Sequence, residues 1–198
     1  MKKFFRSVRI VLQQHQQGIL IVVAACIILA AVTSVVVLFV AMAAPRIVYE
    51  PRTACDLFTT KEADGLLGDR ALQSSSELPV VSSHTAVSKC GYTDGNPDTN
   101  QMRVAALIVR SGIDDDGVLE NKRDFVQTQP RGATEVVQGV GDAAYFNTRG
   151  GQLNILDGRD WIILSYGVGA DPASNTREDA LKFASVVVPT STRTLPSY

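Results

Sequence analysis

The sequence predicts an α+β protein with a mainly antiparallel sheet and about three helices, preceded by one transmembrane helix. Three observations carry that expectation. Gly18 to Ala44 runs for 27 residues without a charge. Short apolar segments flank hairpin chemistry, most plainly at Asp157-Gly158. Capped amphipathic segments interrupt those strands, and helices divided by runs of hairpin strands imply an antiparallel α+β fold.

A helix over Gly18–Ala44 would reach about 40 Å, against a hydrocarbon core of about 30 Å. Tilt absorbs the excess. Lys2, Lys3, Arg6 and Arg9 precede it with no acid among them, while all 20 acidic residues follow it with 15 of the 19 Lys and Arg. The outer part therefore carries 15 − 20 = −5 and the inner tail +4. The positive-inside rule places residues 1–17 in the cytoplasm and the bulk outside. A net −5 domain gives no reason to expect nucleic acid or anionic lipid as partner. Two processing patterns compete with a retained anchor. Ala41-Met42-Ala43 is an A-x-A cleavage pattern, although the apolar run exceeds a signal h-region. Val23-Ala24-Ala25-Cys26 has the form of a lipobox, but an apolar stretch rather than a polar tether follows Cys26.

Residues 45–54 form a linker stiffened by two prolines, residues 55–190 the extracytoplasmic domain, and residues 191–198 a frayed tail. Cys55 and Cys90 are an even pair outside the membrane, which reads as a disulfide. A metal pair would need further ligands, and the only outer histidine is His84. Thr59 and Glu62 fit a capping box, Ala63, Leu66 and Leu67 lie on one helical face, and Gly68 stops that helix. Residues 69–83 are Ser-rich and read as a loop. Strands follow at 84–93 and 101–110 around the turn residues 94–100. Asp116 is placed as the cap of a helix over 118–129, with Leu119, Phe125 and Val126 inward. Residues 134–138 and 143–146 are short extended pieces around Gly139-Val140-Gly141-Asp142. Residues 152–157 and 160–167 form a hairpin. Asp171-Pro172 opens a last helix that buries Ala180, Leu181, Ala184, Val187 and Val188.

No catalytic constellation stands out. Asp94, Asn96 and Asp98 match the opening of an EF-hand loop, but the sixth position is Thr99 rather than Gly and the twelfth Ala105 rather than Glu. The motif needs both, so Asp94, Asn96 and Asp98 read as a solvated hairpin turn rather than a metal site. Asp114, Asp115 and Asp116 cluster carboxylates, as a weak divalent-ion site or as a loop and helix cap. Gly139-x-Gly141-x-x-Ala144 has the spacing of a dinucleotide fingerprint, but a strand rather than a helix follows it, so no cofactor is expected. His84 is a candidate base with no nucleophile or orienting acid at recognisable spacing. Tyr145, Phe146, Trp161 and Tyr166 are candidates for a ligand cleft, or for core packing.

Cys55-Asp56-Leu57, Leu66-Leu67-Gly68, Cys90-Gly91-Tyr92 and Gly139-Val140-Gly141-Asp142-Ala143-Ala144 together give a pattern. It resembles a domain of unknown function found in actinobacterial cell-envelope lipoproteins, over roughly residues 55–188. The resemblance implies an extracytoplasmic α+β domain with a Cys55–Cys90 bridge and no assigned enzyme activity. The chain departs from that family in carrying a long apolar span where a lipobox and polar tether are usual. Three functions follow as expectations: a membrane-anchored module that binds an envelope protein, a wall polymer or a small apolar molecule, an envelope hydrolase, or a structural subunit of a membrane complex.

Overall fold

The computed structural model describes residues 48–188 except 170, 172 and 173. The basic tail, the apolar stretch with Cys26 and the A-x-A pattern, and the tail 191–198 lie outside the described residues. Among the described residues no helix is long and apolar enough to cross a membrane.

Seven strands form one sheet in the order β1-β2-β3-β7-β6-β5-β4, and every neighbouring pair is antiparallel. The strands are β1 (Leu72–Ser82), β2 (Thr85–Thr93), β3 (Arg103–Gly112), β4 (Thr134–Val137), β5 (Ala143–Asn147), β6 (Gln152–Asp157) and β7 (Asp160–Val168). The helices are α1 (Ala54–Leu57), α2 (Thr60–Leu67), α3 (Asp115–Gln127) and α4 (Arg177–Val187). The α+β class with its antiparallel sheet therefore stands, with four described helices, one of them a single turn.

Successive strand residues point to opposite faces, so cross-strand partners share one. One row reads Cys90, Leu107, Leu164, Leu153 and Phe146 across five strands. With Ala105, Tyr166, Val109, Ile162 and Ile155 it makes the packed face, on which Phe58, Leu66, Leu67, Phe183 and Val187 rest. Phe58 and Phe183, both with no exposure, meet at a ring separation of 4.6 Å. Each fully buried side chain of this size contributes about 1.5–3 kcal/mol. Cys55 and Cys90 are bridged, with Cα atoms 5.1 Å apart, which pins α1 to β2. The Thr59–Glu62 box starts α2 as expected: Thr59 N–H donates to Glu62 Oε2 at 3.2 Å.

Several expectations are corrected. Leu72–Ser82, read as a loop, is the sheet's outermost strand. It is exposed from Leu72 to Leu78, so its serines carry no alternation of buried and solvent positions, the signal a strand normally leaves. Two register shifts and Pro79 interrupt it, both devices that blunt an open edge. Helix α3 is capped by Asp114, whose carboxylate accepts from Gly117 N–H at 2.8 Å, not by Asp116. Of its three expected core residues only Phe125 is buried, while Leu119 and Val126 are 64% and 65% exposed. The cap of α4 is Thr176, accepting from Asp179 N–H at 3.1 Å, rather than Asp171. Phe183 joins the α4 core positions, and Leu181 is only half-buried.

The linker is also docked from residue 48 onward. Val48 and Tyr49 N–H groups donate to Ile113 O at 2.8 and 2.9 Å, Arg52 N–H donates to Ser111 Oγ at 3.0 Å, and Ser88 Oγ donates to Arg52 O at 3.1 Å. Residues 48–53 thus run as a strap across strand ends.

Candidate functional site

The face opposite the main core is covered only in part, by α3. The cover is fastened largely by polar groups. Asn121 is fully buried and its Nδ2 donates to Arg110 O at 2.9 Å and Arg159 O at 2.8 Å. Arg110 Nη1 donates to Asp124 Oδ2 at 2.8 Å, its Nη2 reaches Glu120, and its guanidinium lies 5.9 Å from the Trp161 ring centroid. Phe125 supplies the apolar contact, 5.0 Å from Tyr145 and 6.3 Å from Trp161 between ring centroids.

This arrangement decides where the four aromatic candidates go. Tyr145 and Trp161 lie beneath α3, whereas Phe146 and Tyr166 lie in the main core on the opposite face. All four are less than a tenth exposed. They line no common cleft: Tyr145 and Phe146 are adjacent in one strand, and the pleat sends them to opposite sides.

Beyond α3 the sheet face is open. Its cross-strand row reads Gly91, Ala106, Ser165, Gln152 and Asn147. Beside Ser165 and Gln152 of that row lies a groove of about 280 Å³, lined also by Val104, Gly167, Asp171 and Asn175, with glycines from two loops. The loop before α4 closes over β7 because position 167 is glycine: a Cβ there would stand 1.5 Å from Asn175 Oδ1. Asn175 Nδ2 donates to Gly151 O at 3.1 Å and ties the loop to the β5–β6 turn. Two amides, a hydroxyl and one carboxylate line the groove, and no cationic side chain does. Such a surface suits hydrogen bonding to a neutral polar ligand.

The remaining candidates are occupied by the protein itself. His84 Nδ1 lies 2.8 Å from Asp114 Oδ2, an orienting acid that sequence spacing did not reveal because 30 residues separate the pair. This hydrogen bond raises the imidazole above its usual value and lowers the Asp114 carboxyl, which Gly117 N–H lowers further. His84 is nearly half exposed and, among the described residues, no hydroxyl or thiol shares its hydrogen bond. Asp115 accepts from the Tyr49 hydroxyl at 2.6 Å, and Asp116 lies exposed in the first turn of α3. Asp94, Asn96 and Asp98 form a ladder of Asx turns, accepting from the N–H of Asn96, Asp98 and Asn100 at 3.0–3.1 Å. Asp94 also takes Arg103 Nε at 3.0 Å. Burial pushes that carboxyl up, but the Arg103 and backbone hydrogen bonds outweigh it and hold it below the usual range. Among the described residues no group of three His, Cys, Asp or Glu side chains is placed to hold a metal.

Gln152, Ser165 and Asn175 were not legible as site residues. The signal of Gln152 and Ser165 was faint, polar residues within otherwise apolar strands on the side that no helix covers, and Asn175, in the loop before α4, had none. No family model, no curated protein and no solved structure matches the chain.

Proposed function

We propose that the protein is a membrane-anchored, extracytoplasmic binding module of the cell envelope that takes a neutral polar ligand along the open half of its sheet. One observation carries this proposal: the half of the face left bare by α3 holds a polar groove built from Gln152, Ser165 and Asn175. The uncharged Gly18–Ala44 stretch behind a basic tail supports the anchor. The Cys55–Cys90 bridge supports an oxidising compartment. The resemblance to actinobacterial envelope domains points to the same setting. An envelope protein or a wall polymer, both rich in amide and hydroxyl groups, fits the groove.

A hydrolase is the weaker alternative. The His84–Asp114 pair is its best support, but Asp114 already serves as the cap of α3 and no nucleophile stands beside the imidazole.

The test places a photoreactive residue at Ser165 in the full chain in its native membrane, and the same residue at Leu119 on the outward side of α3. An adduct to an envelope protein or wall polymer is expected from position 165 and not from 119. An Ala106→Trp substitution, which obstructs the neighbouring floor, should abolish it. Equal labelling at both positions, or an adduct indifferent to Ala106→Trp, would exclude the groove as the binding surface.

A further inference from the structure

The strap of residues 48–53 ends on a buried charge. Asp160, the first residue of β7, has no exposure, and neither carboxylate oxygen has an aligned hydrogen bond. A buried, uncompensated carboxylate is among the costliest groups a fold can hold. Arg52 of the strap brings Nε to 3.1 Å from Asp160 Oδ2 and, among the described residues, is the one cation in ion-pair contact with it. Three other polar or charged groups face this carboxylate. Ser111 on β3 already accepts the Arg52 N–H. Asp157 at the end of β6 shares the Arg52 guanidinium at 3.3 Å. Arg159 in the β6–β7 turn is directed to the strap instead, with Nη2 donating to Glu50 O at 2.5 Å and its guanidinium 5.4 Å from the Tyr49 ring centroid.

We propose that Arg52 and Asp160 form an acid-sensitive latch: protonation of Asp160 removes the buried one of the two charges that hold Arg52, and the strap of residues 48–53 loosens while the sheet stays folded. The strap's other attachments are the two N–H groups on Ile113 O, the Arg52 N–H on Ser111 Oγ, the Ser88 hydroxyl on Arg52 O, the Asp157 share of the Arg52 guanidinium, the Tyr49 hydroxyl on Asp115 and the Glu50 carbonyl on Arg159. Burial pushes the Asp160 carboxyl above its ordinary value, against the opposing pull of Ser111 and Arg52, so it takes up its proton before surface carboxylates do. The sign is consistent with a latch. A carboxyl raised by folding contributes stability at low pH and loses it as pH rises. Acidification therefore relieves the sheet of a buried charge in the same step that loosens the strap.

Hydrogen exchange of the full chain in detergent, read by mass and corrected for intrinsic rates, tests this from neutral to acidic pH. Amides of residues 48–53 should lose protection by about tenfold, the equivalent of one pKa unit of differential interaction, while β3 and β7 keep theirs. Arg52→Gln and Asp160→Asn should each show the loosened strap already at neutral pH, with no further response to acid. Where Arg52→Gln alone fails to fold, Arg52→Gln combined with Asp160→Asn should restore sheet protection and leave the strap loose. Strap and sheet opening together on acidification would overturn the latch. So would a pH response that persists in Asp160→Asn and disappears in Asp115→Asn, which would transfer the control to Tyr49.

Discussion

The two faces of the sheet are covered by different physics. On one, α1, α2 and α4 bury a continuous apolar row from Cys90 to Phe146, with a disulfide behind it. On the other, α3 buries one aromatic group around Phe125 and is otherwise held by Asn121, Arg110, the Asp114 cap and the His84 contact. Apolar burial is indifferent to direction, so the first face could be filled until little space remained. Hydrogen bonds and ion pairs act only at their own positions, so the second cover is short. The sheet beyond it stays open, and the groove lies there.

The largest test of that contrast removes the anchoring aromatic from each face. Phe183→Ala should cost about 4–5 kcal/mol and Phe125→Ala about 3 kcal/mol, because the core around Phe183 has less freedom to collapse than a helix with solvent on its outer side. Denaturant unfolding of the two variants reads the difference, and equal losses would erase the distinction. The next effect belongs to the apolar face. Reducing the Cys55–Cys90 bridge should lower stability by about 2–4 kcal/mol, seen as a shift in unfolding midpoint with added thiol; an unchanged midpoint would mean the helices hold without the bridge. The smallest effect belongs to α3. His84 is raised above its ordinary value of 6.5 by Asp114, so its contribution is complete below that value and lost as pH rises through the raised one. Asp114 is lowered by the same contact and Asp124 by Arg110, so theirs is present above the ordinary 3.8 and lost as pH falls through the lowered values. The attachment of α3 should be firmest between those limits. His84→Ala should remove the alkaline limb from the pH dependence of Tm and leave the acid limb in place.

Much of the fold was legible because its signals are local. The hairpin at Asp157-Gly158, the Thr59–Glu62 box and the apolar run over residues 104–109 each depend on residues close in sequence. Strand β1 was not legible because it is an edge. With one neighbour and exposure along most of its length, it needs no apolar alternation, and its Ser-rich composition reads as a loop. Leu119 and Val126 misled for the complementary reason: the helical period locates a stripe but does not say whether a sheet lies beneath it.

The sequence by itself determined the pair of cysteines, the antiparallel α+β class, and the uncharged stretch with its basic flank. These follow from chain chemistry and short-range periodicity. Only the tertiary structure decided which aromatics share a face, that His84 meets Asp114, and that residues 48–53 are strapped to the sheet through Arg52 and Asp160. The last two join residues 30 and 108 positions apart. Such pairings are fixed by strand register and sheet order, which local periodicity does not specify.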